Sequence, residues 1–349
     1  MPTATQEKDT TFADVAREHL VPVNNGFGSW EGFLFGEFDS VGQRCLNMAD
    51  HLTLDAAMER ANVNYHVSMY PAQCETPNGT IIVPDRFVTV RDDTNTALGT
   101  VGAGYTVVQT RDAFGVAEAI DIASEGKGNF IGMAEMETGN KIAALYAMPA
   151  LTLGTDEQVL PVCLIWTSHD GSRAIEVTFV PVRLACFNGN LWHVKGSSAV
   201  YKVKHTVTAE NRLAIATESL AQGSKFFADW QKEATKLLKA KLSRANAMKF
   251  LELLVPEPEK TVKASTIAEK VRESILARYT HSPNLENVRD TKWGMLQAVA
   301  EYVDYDHRTR IVDDGRDTEV QENELRFLRA VSNHPLKESA HKILTGQAA

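Results

Sequence analysis

Between Gly79 and Val182 the chain alternates short β-rich runs with turn residues, and after Cys186 that alternation gives way to helical spacing. This change of period constrains the fold more than any other feature. Apolar runs with period 2, closed by tight turns, make hairpins and therefore antiparallel pairs. Apolar positions three and four apart make helices that must bury one side.

Gly79 to Val83 is one β-rich run. Phe87 to Arg91 and Ala97 to Val108 read as paired strands about the turn Asp92-Asp93-Thr94-Asn95. Asn129 to Met136 and Lys141 to Met148 pair across Glu137-Thr138-Gly139-Asn140. Val159 to Thr167 and Arg173 to Val182 pair across Ser168-His169-Asp170-Gly171-Ser172. One helix, Arg111 to Ser124, interrupts the series. An earlier helix is expected over Val41 to Ala61, from the spacing of Leu46, Ala49, Leu52, Ala56 and Met58. Beyond Cys186 the spacing predicts one long helix, Asn211 to Leu254, broken by Pro256 and Pro258. Further helices follow over Val262 to Tyr279, Thr291 to Tyr305, Glu322 to Val331 and Leu336 to Leu344. The fold class is therefore α+β: an antiparallel hairpin-rich sheet with an interleaved helix, then a mainly helical region. The expected organisation is an N-terminal tail (1–40), loose over Met1 to Asp14, an α+β domain (41–205) and a helical region (206–349).

Met1 to Asp14 is polar and has no basic segment leading into an apolar one, so no signal peptide is expected. No apolar run approaches the ~20 residues of a membrane span. The four cysteines form no C-x-x-C pair and are too sparse for a disulfide framework, which points to reduced thiols in a cytoplasm. A zinc site using Cys163 or Cys186 with a histidine is the alternative.

The net charge of −9 argues against a general nucleic-acid coat protein, but it averages over unlike parts. Met1 to Leu160 holds 9 basic and 22 acidic residues, whereas Pro161 to Val255 holds 13 basic and 7 acidic. A basic middle in an acidic chain is a local signal for an anionic partner. Lys195, Lys202, Lys204, His205 and Arg212 form its densest part, with Trp192 and Tyr201 beside them. Period-2 spacing places Lys202 and Lys204 on one face. Aromatics that stack bases, beside lysines that meet phosphates, suit single-stranded nucleic acid. An edge strand guarded by lysines against aggregation reads the same way. Arg183, alone in an apolar strand, requires either an internal ion pair or a groove where its planar fork meets phosphate. Lys232, Lys236 and Lys239 share a helix face, which as a charge run reads as a solvated side.

Catalytic signatures are missing. Gly102-Ala103-Gly104 lacks the third glycine of a dinucleotide loop, and no phosphate-binding loop, H-E-x-x-H or G-x-S-x-G occurs. His169 beside Asp170 could form an acid–base pair. Asp-Gly is equally a hairpin turn, and neighbouring strand residues point to opposite faces.

Six motifs occur in a set order: Gly104-Tyr105-Thr106-Val107-Val108-Gln109; Ser168 to Ser172; Pro181-Val182-Arg183-Leu184-Ala185-Cys186-Phe187-Asn188; Lys204-His205-Thr206; Trp293-Gly294-Met295; and Glu301-Tyr302-Val303-Asp304. In this order, from about Val41 to the C-terminus, the chain resembles the phage/plasmid-like protein family that carries the domain of unknown function nine hundred and thirty-two. It departs from the family pattern at Gly189-Asn190. The resemblance implies a mobile-element origin and the cytoplasm of a bacterial host, and it carries no catalytic residues. In outline the chain is similar to phage single-strand annealing proteins, with a hairpin-rich sheet, a packed helix, a basic groove and an oligomeric ring.

These readings lead to one expectation: a nucleic-acid-binding protein, single-stranded DNA being the expected partner, which acts as a homo-oligomer without turnover, metal or cofactor. Arg173, Arg183, Lys195, Lys202, Lys204 and Arg212 would meet phosphates, and Trp192 or Tyr201 would stack bases. The alternatives are a non-enzymatic host-interaction protein and a nucleic-acid-processing enzyme.

Overall fold

The computed structural model describes residues 30, 33–38, 44–46, 52–173, 175–186, 188–203, 209–258, 262–307, 311 and 315–347. Lys204, in the predicted basic strand, lies outside them.

Among these residues the centre is a seven-stranded antiparallel sheet. It is built from β6 (Asn129–Met136), β7 (Lys141–Ala147), β8 (Leu151–Leu153), β9 (Glu157–Ser168), β10 (Ile175–Arg183), β11 (Asn188–Gly189) and β12 (Val200–Val203). β9 pairs with β7 and β10, and β12 pairs with the first half of β10. The preceding elements are a short hairpin of β1 (Gly36–Phe38) and β2 (Arg44–Leu46), helix α1 (Leu54–Arg60), and a separate sheet of β3 (Val67–Thr76), β4 (Gly79–Arg91) and β5 (Thr96–Gly102). Helices α2 (Thr110–Ala113) and α3 (Gly115–Ala123) interrupt the strands. The helical part comprises α4 (Ala209–Lys239), α5 (Arg244–Leu254), α6 (Val262–His281), α7 (Lys292–Glu301), α8 (Thr318–Val331) and α9 (Pro335–Thr345). The α+β class and its antiparallel hairpins are as the sequence predicts.

The central strands are apolar on both sides because both faces of the sheet are covered. Ile142, Ala144, Tyr146, Cys163, Ile165, Val177 and Phe179 face a large core shared with α3, α4 and the later helices. Ala143, Leu145, Val162, Leu164, Trp166, Val180 and Val182 face a second core. That core is closed by Trp30, Phe33 and Leu34 from one end of the chain and by Phe327, Ala330 and Val331 of α8 from the other. Phe33 stacks on Phe327 at 3.8 Å, and Trp30 meets the same ring edge-on at 5.3 Å. Met1 to Asp14, expected to be loose, lie outside the described residues, whereas Trp30 and Phe33 to Phe35 are core. The main chain there approaches β6 so closely that a Cβ on Gly132 would sit 1.9 Å from Phe33 O. One core extends from Phe35 to Leu344, so the residues on either side of position 205 share their packing.

Three further differences have local causes. The helix expected from Val41 begins only at Leu54, because Thr53 caps it by accepting from Ala56 N–H, while Arg44–Leu46 pairs with Gly36–Phe38. The strand expected to run to Val108 ends at Gly102. The single helix expected from Asn211 to Leu254 is two. Ser243 caps α5, and the link between the helices is drawn into extended pairing: Leu242 N donates to Asp290 O and Lys292 N to Ala240 O. No helix among the described residues is long and apolar enough to cross a membrane.

Candidate nucleic-acid interface

The edge strand β12 and the loop before it lie along α4, and side chains of the helix hold them there. Tyr201 OH donates to Glu218 Oε2 (2.7 Å). Gln222 Nε2 donates to Ser198 O (3.1 Å) and Val200 O (2.9 Å). Lys225 Nζ donates to Gly196 O and to Ser197 Oγ (2.8 Å), and Ser197 Oγ–H donates to Asp229 Oδ2 (2.6 Å). Helical spacing thus supplies one bonded residue per turn, from Glu218 through Gln222 and Lys225 to Asp229. Asp229 is held well below the usual carboxylate range by Ser197 first and by Lys232 and Lys225 next.

This lacing brings the two basic segments to one border. Lys195 and Lys202 are exposed on the loop and the edge strand. Lys225 and Lys232 are 59% and 71% exposed on the adjoining helix, with Lys236 and Lys239 exposed beyond them. Acids interleave: Asp229 takes Lys225 (3.2 Å) and Lys232 (3.0 Å), and Glu176 is the cross-strand partner of Lys202. Arg173 lies at the strand's far end, its guanidinium 4.9 Å over the Trp166 ring and 3.8 Å from Glu176. Lys225 was not singled out in the sequence; the signal was there, since it lies seven residues before Lys232 on the same helix face.

Two predicted contacts are corrected. Arg183 is fully buried and forms an internal ion pair. Its Nε and Nη2 donate to Glu157, its Nη1 to Asn284 O (2.6 Å) and its Nη2 also to Asn287 Oδ1 (2.9 Å). Trp293 Nε1 and Asn287 Nδ2 complete the shell around Glu157 (3.0 and 2.9 Å). Trp192 is 2% exposed, stacked on His341 at 4.8 Å and packed against Trp230 at 5.0 Å, so no base can reach it. Tyr201 is half-buried with its hydroxyl committed to Glu218, and burial, then that bond, push its pKa up to about 12. The backbone of Arg212 lies in α4, but its side chain falls outside what is described. Of the residues predicted to meet phosphate, Arg173, Lys195 and Lys202 are placed at the surface.

The second candidate, His169 with Asp170, is a structural junction. The two side chains turn to different partners. Asp170 accepts from Asn140 Nδ2 (2.8 Å) and from Ser172 N (2.8 Å), closing the turn. Burial raises its pKa, but those hydrogen bonds outweigh burial and bring it to about 2. His169 is fully buried with Nε2 3.4 Å from Thr110 Oγ1, and Nδ1 has no hydrogen-bond partner among the described residues. Burial lowers its pKa to about 4. Tyr105 OH donates to Ser168 O (3.3 Å), and Gln109 clamps both backbone groups of Val67 (3.0 and 2.9 Å). The motifs around Tyr105 and His169 therefore join the β3–β5 sheet to the body.

A similar role falls to Glu301-Tyr302-Val303-Asp304. Asp304 lies 2.6 Å from the ammonium of Lys337, and both are fully buried. Lys337 also donates to Gly189 O (2.9 Å). Among the described residues, no group of three or more His, Cys, Asp or Glu side chains is placed to hold a metal ion. Cys74, Cys163 and Cys186 are free thiols, and burial pushes the latter two up to about 12 and about 11.

The architecture defines an α+β protein with a doubly covered antiparallel sheet and a basic edge. The chain belongs to the family of the Domain of unknown function (DUF932), whose model matches residues 97–326. No curated protein and no solved structure matches it.

Proposed function

We propose that the protein binds the backbone of single-stranded nucleic acid along the face carrying Lys195, Lys202, Lys225 and Lys232, with Arg173 at its end. In this reading it serves a phage or plasmid in the host cytoplasm as an oligomeric binding or annealing protein. The observation that carries the reading is the lacing of Gly196 to Tyr201 onto α4, which gives the strand-borne and helix-borne lysines a common surface. The contact is electrostatic rather than base-stacking, because Trp192 is in the core and Tyr201 is bonded to Glu218. Annealing needs no hydrolysis, since base pairing supplies the driving energy.

Oligonucleotide titrations across a salt series test this. Each phosphate neutralised on a single strand contributes roughly −0.7 to the slope of log K against log salt, so four lysines give about −3. Lys195→Glu with Lys202→Glu should cut affinity at least tenfold and flatten the slope. Binding absent at low salt, or identical in this double variant, would overturn the reading.

A further inference from the structure

Among the described residues, the distal half of the β3–β4 hairpin has no partner on either face. Gln73 to Thr76 pairs with Gly79 to Ile82, while β5 covers only Arg86 to Arg91. Among the described residues both edges of this ribbon are open as well. Ile81 and Ile82 are 54% and 64% exposed. A lone two-stranded hairpin is marginal in water, and open edges invite pairing, so an apolar ribbon of this kind calls for a binding surface. Between Tyr70 and Val83 the only charged residue is Glu75, which leaves nothing to meet phosphate and argues for a protein surface.

The same chain carries an apolar cavity of about 270 Å³ between the central sheet and α4, lined by Met148, Leu151, Pro161, Phe179, Leu220 and Phe227. A buried cavity of ~150 Å³ already takes a benzene ring, so this one accommodates a branched aliphatic side chain with room left over. Lys225 and Lys232 stand on the helix beside it, a charge opposite to that of Glu75. The ribbon's own cavity is at the wrong end. The β3–β5 sheet joins the body beside the Ser168–Gly171 turn, whereas the cavity opens near Pro161, seven residues back along β9 and ~23 Å away at the strand rise of ~3.3 Å.

We propose that the ribbon of one copy seats Ile82 in this cavity of a second copy, with Glu75 against Lys225 and Lys232. Ile81 points to the other ribbon face and stays outside. Knob and cavity are different patches, so the contact is head-to-tail and repeats into a ring or a filament rather than closing as a two-fold dimer. This deepens the oligomer part of the proposed function and stands whether or not nucleic acid binds; in an assembled copy Lys225 and Lys232 are shared with Glu75, and Lys195, Lys202 and Arg173 remain to meet phosphate.

Light scattering and sedimentation of the full chain give the test. The parent should run as a multiple of its 38.5 kDa mass, above two copies at tens of micromolar. Ile82→Glu and, separately, Ala228→Arg at the exposed rim of the cavity should each yield a monomer with an unchanged circular-dichroism spectrum. In a Cys74→Ser background, mixing Ile82→Cys protein with Ala228→Cys protein should give a disulfide-linked pair that neither forms alone. A monomeric parent overturns the proposal, as does an oligomer indifferent to both substitutions. Loss of assembly with Ile82→Glu but not with Ala228→Arg also overturns it, because the ribbon would then pair elsewhere, for example edge to edge. An Ile82→Glu protein of parental mass but weakened oligonucleotide binding assigns the ribbon to nucleic acid and refutes the contact. Parental assembly with no oligonucleotide binding supports this contact while refuting the proposed function.

Discussion

Glu157→Gln would remove one charge from the centre of the protein and leave the shape of the side chain almost unchanged. Glu157 is 2% exposed and accepts from Arg183, Trp293 Nε1 and Asn287 Nδ2. Glutamine turns one of the accepting oxygens into a donor that faces donors. Arg183, fully buried, keeps Asn284 O, Asn287 Oδ1 and the Cys186 sulfur but loses its counter-charge. Breaking a buried pair from one side costs about 3–5 kcal/mol. An unfolding entropy of about 2.1 cal/mol/K per residue over 349 residues converts this to a Tm loss of roughly 4–7 °C. Urea unfolding followed by circular dichroism should show a lower midpoint at unchanged slope. Replacing both partners, Glu157→Leu with Arg183→Met, should recover the part due to the unpaired charge but not the part due to Trp293 Nε1, Asn287 and Asn284 O, which lose their partners. A Glu157→Gln protein within about 1 kcal/mol of the parent, the worth of an exposed pair, would refute the assignment of these residues to a buried electrostatic centre.

Other perturbations test other parts. Burial holds His169 neutral with a pKa of about 4, and His334 likewise, through burial first and then His307, Lys337 and Arg329. The unfolded chain takes up these protons near pH 6.5, so stability should fall as pH drops from 6.5 towards 4, by ~3 kcal/mol for His169 at full shift. A urea midpoint that is flat or rising through that window would contradict the neutral imidazoles. Gln109→Leu removes both bonds to the Val67 backbone, and at about 1 kcal/mol each amide exchange over Val67 to Tyr70 should speed up roughly 10–30-fold; unchanged protection would count against the clamp. Gly132→Ala drives a Cβ into Phe33 O and C, which are backbone and cannot yield, so Trp30 should lift out and its emission shift to the red, with about 1–3 kcal/mol lost. Parental emission would mean that Trp30 is not packed as described.

The hairpins were legible because turn chemistry is local. Asp92 to Asn95, Glu137 to Asn140 and Ser168 to Ser172 each mark a chain reversal through their own side chains and permissive backbone, and the observed registers follow from them. Val67–Thr76 was missed because Pro71 interrupts it and its outer half is exposed on both faces, which erases the alternation that marks a strand. The break after Lys239 was invisible for a different reason. It depends on Asp290 and Lys292, some fifty residues on, bonding the backbone of Ala240 and Leu242. The same distance in sequence hid the roles of two predicted contacts. Whether Arg183 meets phosphate or a carboxylate is decided by Glu157, Asn284 and Asn287, and Trp192 is covered by His341 from the last helix. Lys195 and Lys202 could be placed at the surface from local pattern alone, because a lysine on an edge strand or a loop needs no distant partner.

The stacking of Phe33 on Phe327 sets an order of events during synthesis. The strands of the central sheet are all made by Val203, but one of their faces is closed by α8, which ends at Val331. A nascent chain that stops short of α8 therefore carries Leu164, Trp166, Val180 and Val182 without the cover of Phe327, Ala330 and Val331. That face of the sheet cannot close until α8 has been made, so premature stops before Phe327 should leave insoluble products rather than a smaller working protein.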